Sequence, residues 1–104
     1  MSHNILIDII SLDKTIHEPV RIAILTLLSV IEKADFLYLK NNTGITQGNL
    51  SSHLSKLEAA EFVEIEKTFK GKRPLTLIKI TTLGKENFEN YLRTMKVYIK
   101  QSGI

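Results

Sequence analysis

Side chains that could hydrogen-bond to nucleic acid lie close together between residues 46 and 56. They are Thr46, Gln47, Asn49, Ser51, Ser52, Ser55 and Lys56. Short hydroxyl and amide groups can reach base edges and phosphates in a DNA groove without steric conflict, and a lysine can neutralise a phosphate. No acidic residue occurs from Gln47 to Lys56. The residue types indicate a surface suited to DNA, although serines on a helix are also often simply solvated.

A basic cluster follows further along the chain. Lys67, Lys70, Lys72 and Arg73 lie within seven residues that contain no acid. A solubilising turn can have the same composition, but the position of this cluster after the polar stretch favours contact with a sugar-phosphate backbone. We expect Arg73 to reach either the backbone or the minor groove.

Both groups need elements that hold them in place, and the hydrophobic pattern predicts such elements. Leu50, Leu54 and Leu57 recur at i, i+4 and i+7, which predicts an amphipathic helix over residues 46–60 with a threonine as its N-cap. Alternating apolar and polar residues predict strands over residues 62–69 and 75–82. The alternation of the second strand is imperfect, so the sequence does not decide which of its two faces is buried. The result is a helix followed by a hairpin with a basic tip.

The remaining segments predict further helices. A proline is tolerated in a first helical turn, so a core helix over residues 19–32 can begin with one. A short helix is expected over residues 36–40, ended by the Asn and Gly residues of 41–44. A long last helix is expected from residue 82 to about residue 101. The apolar segment at residues 4–12 fits either a short helix or a strand.

Composition bounds the class of protein. The chain has 104 residues, 43% hydrophobic and 24% charged, which is typical of one folded domain. The lack of cysteine excludes disulfides, thiolate metal sites and a cysteine nucleophile, and it fits a reducing cytoplasm. No apolar run approaches the ~20 residues of a membrane span, and the start of the chain lacks the basic region of a secretory signal. The net charge of +3 is mild, so the placement of the charges is more informative than their sum.

Chemistry other than binding has little support in the sequence. The acidic residues are scattered, no Ser-His-Asp arrangement is evident, and the glycines do not form a phosphate loop. His3, His17 and His53 lack the paired helical spacing of metal ligands. We therefore predict no enzyme activity, no metal and no cofactor. Because His53 precedes Leu54 on the buried side of its helix, a hydrogen-bonded packing role is the favoured interpretation for it.

Residues 45–58, Ile-Thr-Gln-Gly-Asn-Leu-Ser-Ser-His-Leu-Ser-Lys-Leu-Glu, resemble the recognition helix of winged-helix transcriptional regulators, especially the MarR and ArsR groups. Their pattern there is a small polar residue followed by Ser-x-His-Leu-x-x-Leu. Residues 71–74 resemble their wing, and the Thr-x-x-Gly step at residues 81–84 resembles the start of their last helix. The similarity extends from Glu18 to the end of the chain. One departure is Glu61, where these families commonly have a glycine, and a left-handed backbone there would be strained by roughly 1 kcal/mol.

The resemblance implies an α+β, mostly helical fold: a winged helix-turn-helix with a three-helix core, a β-hairpin wing, and N- and C-terminal dimerisation helices. The single domain would comprise a docking or dimer segment (residues 1–16), the core (17–82) and a dimerisation helix (83–104). It also implies a homodimer on an inverted repeat, with the recognition helices about one DNA turn apart, ~34–36 Å. The expected interface residues are Ile5, Ile9, Phe88, Tyr91, Leu92, Met95, Tyr98 and Ile99.

These observations predict a cytoplasmic transcriptional regulator that binds double-stranded DNA sequence-specifically, as a dimeric repressor that occludes a promoter. A winged-helix module that contacts a protein partner in a larger assembly is the main alternative. RNA recognition is a lesser alternative, because the hairpin offers only Phe69 for stacking on bases. The sequence identifies neither the operator nor an effector ligand.

Overall fold

The computed structural model describes residues 4–103, and within that range it has five helices and a three-stranded antiparallel sheet. The helices are α1 (Ile5–Ile10), α2 (Pro19–Ile31), α3 (Phe36–Thr43), α4 (Gln47–Ala59) and α5 (Thr82–Gln101). The strands are β1 (Lys33–Asp35), β2 (Val63–Lys70) and β3 (Arg73–Ile80), in the sheet order β1-β3-β2. The expected α+β, mostly helical winged helix is confirmed.

Local side chains set the ends of the central helices. The carboxylate of Asp35 accepts a hydrogen bond from the first turn of α3, and the hydroxyl of Thr46 does the same for α4. Helix α3 is longer than predicted and includes Asn42 and Thr43, whose side chains donate hydrogen bonds to carbonyl groups of the preceding turn. Gly44 then ends α3 in a left-handed conformation, with φ 71°.

One hydrophobic core lies between the helices and the inner face of the sheet. Its buried side chains are Ile16, Ile24, Leu25, Leu28, Ala34, Leu39, Leu50, Leu54, Leu57, Phe62, Val63, Ile78, Ile80, Phe88 and Tyr91. Every helix except α1 contributes to this set. Helices α2, α3 and α4 therefore form the three-helix core, and the first half of α5 packs on it.

The register of the hairpin decides which face of β3 is buried. Ile65 lies opposite Ile78, and Ile80 lies opposite the first residue of β2. Because alternate residues share a face, Ile78 and Ile80 point into the core, whereas Leu75 and Leu77 lie half-buried on the other face. The register therefore shows which face of β3 is buried, a point that the imperfect alternation of its residues did not decide.

Strand β1 was not predicted from the sequence. It has three residues, of which only Ala34 is apolar, and it forms because it adds to the edge of β3. It pairs only with residues 77–79 of β3. Within the described residues, the part of β3 that contains Pro74 consequently pairs on one side alone, with β2.

The two terminal helices lie against each other. The segment after Asn4 is a helix, which resolves the choice between helix and strand, and α1 contacts α5. Helix α5 is about 30 Å long at 1.5 Å per residue, and this length contributes to the elongated outline of 60 × 25 × 21 Å. No helix in residues 4–103 combines the length and the apolar character that crossing a lipid bilayer requires.

Candidate nucleic-acid interface

Helix α4 presents its polar residues to solvent. Leu50, Leu54 and Leu57 are buried on one side of the helix. The opposite side carries the predicted DNA-contacting residues, all of them exposed: Gln47, Asn49, Ser51, Ser52, Ser55 and Lys56. Within the described residues their side chains make no hydrogen bond to the rest of the protein. Those polar groups are therefore available to a ligand.

Thr46 has a different role from the other residues of this group. It is exposed, but its Oγ1 accepts a hydrogen bond of 3.2 Å from the backbone N–H of Asn49. This contact makes Thr46 the N-cap of α4. It holds the first turn of the helix, and with it the position of Gln47, in a defined geometry.

The basic residues lie at the end of the hairpin. Lys70 and Arg73 face each other across a two-residue turn, in which only Gly71 has a positive φ, 65°. A glycine in this position is typical of a type II′ turn, whose twist matches that of the two strands. Lys67, Lys70, Lys72 and Arg73 are all exposed. The turn is thus shorter than the gap between the two predicted strands, residues 70–74, since Arg73 and Pro74 belong to β3.

The acidic residues and the basic cluster occupy different parts of the hairpin. Glu64 and Glu66 lie on β2 nearer the core, and Glu64 is opposite Lys79. Lys67 lies on the same face of the sheet as Ile65, whereas Lys70 and its partner across the turn lie on the other face, following the alternation of the strands. The outer part of the hairpin therefore offers positive charge on both faces.

A polar cluster of Glu18, Arg21 and His53 lies between α4 and the start of α2. The Nδ1 atom of His53 is 3.0 Å from an Nη atom of Arg21 and 3.1 Å from an oxygen of Glu18. Arg21 is 8% exposed, and it also donates hydrogen bonds to the backbone carbonyl groups of Thr15 and Lys14. The cluster ties α4 to the start of α2, which agrees with a packing role for His53.

The sequence reasoning missed Glu18 and Arg21 as partners of His53. One available signal was Arg21 itself, because it lies one helical turn before Ile24 and Leu25 on the apolar face of α2. A charged residue in such a stripe is buried only if it has partners. The identity of those partners depends on tertiary packing.

The expected dimer residues fall into three classes of exposure. Phe88 and Tyr91 are only 3% and 5% exposed, so they pack inside the protomer, a placement that differs from the one expected at an interface. Partly buried residues are Ile5, Ile9, Met95 and Tyr98, and exposed residues are Leu92 and Ile99. The sequence reasoning did not single out four further exposed apolar residues, Leu6, Ile7, Ile10 and Val97.

Tyr91 connects α5 to the loop before α2. Its hydroxyl lies 2.7 Å from Nδ1 of His17, and its ring is stacked with Phe88 at a centroid distance of 6.3 Å. Burial raises the pKa of the Tyr91 phenol above its ordinary value of 10.0. Over residues 4–103, no three histidine or acidic side chains converge as a metal site would require, and His3 lies outside the described residues.

Comparison with known proteins identifies the family. A model described as a winged helix DNA-binding domain matches residues 20–99. The chain is 44% identical over 79 residues to an uncharacterized protein of Methanocaldococcus jannaschii, a match that covers 76% of this chain and 86% of that protein.

Solved structures agree with this match. A transcriptional regulator homologue from Pyrococcus horikoshii OT3 superposes with a TM-score of 0.89 at 30% identity, over 96% of this chain and 98% of that one. A MepR-like protein complexed with pseudoligands shares the fold, with a TM-score of 0.68 at 15% identity over 98% and 81% of the two chains. The resemblance to winged-helix regulators is confirmed, and the chain belongs to the family of winged helix DNA-binding domains.

Proposed function

We propose that the protein regulates transcription by binding a specific double-stranded DNA sequence as a homodimer. One observation carries this proposal. The exposed side of α4 from Gln47 to Lys56 has no acidic residue and no internal hydrogen bonds among its described side chains, and a hairpin with a basic end follows it. Double-stranded DNA fits both parts of this surface, because its grooves offer hydrogen-bonding groups to α4 and its phosphates offer negative charge to the basic end of the hairpin.

The two parts of the surface would have different roles on DNA. Helix α4 would enter the major groove. Its side chains would contact base edges or fix the position of the helix in the groove: Gln47, Asn49, Ser51, Ser52 and Ser55. Thr46 would lie at the N-terminal end of the helix, at the edge of this contact. The basic side chains would neutralise phosphates: Lys56, Lys67, Lys70, Lys72 and Arg73. Because Arg73 lies beside the turn, it is the residue we assign to the minor groove or the flanking backbone.

Exposed apolar residues of α1 and α5 support the homodimer. Leu6, Ile7 and Ile10 are each at least 60% exposed, and Leu92 and Ile99 are each 46% exposed. Grouped exposed apolar residues commonly mark interfaces between proteins. A two-fold dimer through these helices would present two copies of α4 to successive major grooves, ~34–36 Å apart.

We further propose that the dimer acts as a repressor in the cytoplasm. A dimer bound across a promoter would block access of the polymerase, and this mechanism needs no surface other than the DNA-binding surface and the dimer interface. The proposal assigns no effector ligand.

Fluorescence anisotropy would test the proposal. DNA from upstream of the gene and a scrambled duplex of the same composition would be titrated with the full chain across a salt series. We expect tighter binding to the upstream duplex, saturation at two chains per site, and a fall in log affinity with log salt of about 0.9 per phosphate neutralised.

The other outcomes separate the alternatives. Equal and strongly salt-dependent binding to both duplexes would contradict a specific site in that fragment. The absence of binding even at low salt would contradict DNA binding itself and would favour a protein-interaction module.

A further inference from the structure

Helix α5 begins in direct contact with the segment that ends α4. The backbone N–H of Thr81 donates to the carbonyl of Phe62 at 3.0 Å, and the Thr81 hydroxyl donates to the carbonyl of Glu61 at 2.7 Å. The same hydroxyl accepts a hydrogen bond of 2.9 Å from the N–H of Gly84. We refer to Glu61, Phe62, Thr81 and Gly84 as the α4–α5 joint.

Gly84 makes this contact unusually close. A Cβ atom at this position would lie 2.1 Å from the carbonyl oxygen of Phe62 and 3.1 Å from a side-chain carbon of Ile80. The backbone of α5 therefore lies against the backbone of residue 62 with no side chain between them. A contact between two backbones has no rotamers through which it can adapt.

The joint is also continuous with the last turn of α4. The N–H of Phe62 donates to the carbonyl of Leu57, and the N–H of Glu61 donates to the carbonyl of Glu58, both at 2.9 Å. Glu61 has a left-handed backbone, with φ 63°, which reverses the chain between α4 and β2. Hydrogen bonds thus lead from α4 to the start of α5 without an intervening flexible loop.

From the joint, α5 continues as one helix to the surface that we propose for the dimer. Its first half is anchored in the core through Phe88 and Tyr91, and exposed apolar residues such as Leu92 and Ile99 follow. The direction of α4 is therefore fixed relative to the helix that would meet its partner subunit.

We infer that the α4–α5 joint determines the spacing between the two halves of the DNA site, with Thr81 and Gly84 as positioning residues for the recognition helix. This inference rests on the proposed function as a DNA-binding dimer. It adds that Thr81 and Gly84, which are not among the residues proposed to contact DNA, hold the preferred number of base pairs between half-sites to one value.

The geometry makes such selection sensitive to small changes at the joint. Helix α4 has 13 residues and is about 20 Å long. A tilt of about 10° displaces the far end of such a helix by about 3.5 Å, which is close to the 3.4 Å between successive base pairs. A rigid joint would hold the spacing to a single value, and a loose joint would accept neighbouring values.

The test compares wild type with Thr81→Val, which keeps the branched shape but removes both hydroxyl hydrogen bonds, and with Thr81→Ser, which keeps them. Each full chain would be titrated by anisotropy against a single half-site and against inverted repeats whose spacer varies one base pair at a time. We expect wild type and Thr81→Ser to prefer one spacer by at least about tenfold, since simultaneous engagement of both half-sites is lost when the geometry fails. Thr81→Val should bind the half-site as wild type does and lose or shift the spacer preference.

A second variant guards against a folding failure of Thr81→Val. Gly84→Ala disturbs the same joint without touching Thr81, because its Cβ would force α5 away from the Phe62 carbonyl, and it should also lose or shift the spacer preference. An unchanged spacer preference in every folded variant, or a wild type whose affinity is independent of the spacer, would overturn the inference while leaving DNA binding intact. Failure of wild type to bind any duplex would instead contradict the proposed function.

Discussion

The Nδ1 atom of His53, on α4, lies 3.1 Å from a carboxylate oxygen of Glu18 at the start of α2. The same nitrogen is 3.0 Å from Arg21, so one ring atom faces both a carboxylate and a guanidinium group. This nitrogen can donate a hydrogen bond to the carboxylate or accept one from the guanidinium group, but it cannot do both at once. Arg21 is held independently by the carbonyl groups of Thr15 and Lys14, which makes it the fixed member of this cluster.

Replacement of Arg21 tests the stabilising role of the cluster. Arg21→Met preserves much of the side-chain volume but removes the donors to two carbonyl groups and to His53, so we expect a loss of about 1–3 kcal/mol in the free energy of unfolding. Chemical denaturation would measure the change. The matched control is Arg93→Met on the exposed side of α5, where we expect a change within about 0.5 kcal/mol. Equal effects of the two substitutions would show that the cluster does not contribute to stability.

The raised pKa of Tyr91 predicts a pH dependence of stability. Burial makes the folded protein hold the phenolic proton more tightly than the unfolded chain does, so the unfolded state loses its proton first. The contribution is present below the ordinary pKa of 10.0 and is lost as pH rises through the higher pKa of the folded state. Stability should therefore fall as pH increases above about 10.

Tyr91→Phe should remove this part of the alkaline decline. At neutral pH the variant should be less stable than wild type by about 0.5–1.5 kcal/mol, because His17 loses its hydrogen-bond partner. Denaturation curves at several pH values between neutral and alkaline would measure both effects. An identical alkaline slope in the two proteins would contradict the assignment to Tyr91.

Two glycines within helices should respond oppositely to alanine. Gly84→Ala would place a Cβ 2.1 Å from the Phe62 carbonyl oxygen, and we expect destabilisation by about 1–3 kcal/mol because backbone must move. Gly48→Ala meets no atom within 4 Å and should stabilise α4 by about 0.5–1 kcal/mol. Thermal unfolding of both variants would measure the difference. A stabilising effect of Gly84→Ala would mean that α5 can shift away from residue 62 at little cost.

Glu61→Gly should increase stability. Glu61 has φ 63°, a conformation that costs a side-chain-bearing residue roughly 1 kcal/mol more than it costs glycine. We therefore expect an increase of about 1 kcal/mol in the free energy of unfolding. Ala59→Gly at the last residue of α4 is the control, and it should lose about 0.5–1 kcal/mol since its backbone is helical. Destabilisation by both substitutions would contradict strain at Glu61.

Substitutions on the wing and on the recognition helix should affect DNA binding differently. Arg73→Ala should weaken binding to all sequences and reduce the salt slope by about 0.9, because one phosphate contact is lost. Ser52→Ala should mainly change the preference between sequences. Arg93→Ala removes the same charge from α5 and should have little effect on binding. Equal affinity of wild type and Arg73→Ala for DNA at low salt would exclude the wing from the mechanism.

The helices and their caps were predictable because their signals are local. The leucine spacing of α4, the threonine before it and the glycine that ends α3 act within one or two helical turns. The resemblance of residues 45–58 and 81–84 to winged-helix regulators then predicted how the elements assemble. Glu61 departs from the glycine of related families, which predicted that the end of α4 could differ from theirs; in the structure Glu61 nevertheless has a left-handed backbone, with φ 63°.

The features that sequence reasoning missed depend on distant partners. Strand β1 has one apolar residue and forms because β3 offers an edge 44 residues further along, as the pairing of Ala34 with Ile78 shows (78 minus 34). The contact of His53 with Arg21 joins residues 32 apart in the sequence. Phe88 and Tyr91 belong to the same apolar stripe of α5 as the expected interface residues. Sequence spacing cannot separate core residues from interface residues in such a stripe, because only the packing of α5 on the core buries the first two.

Pro74 has a consequence for how copies of this chain can associate. The segment of β3 beside it has no neighbour on the β1 side among the described residues, so it is an open sheet edge next to the most basic part of the molecule. An open edge can recruit a strand from another molecule, but a proline offers no N–H for that ladder. The repulsion between the lysines and arginine of two such hairpins opposes the same encounter. A high local concentration of the protein should therefore not join these edges into a growing sheet.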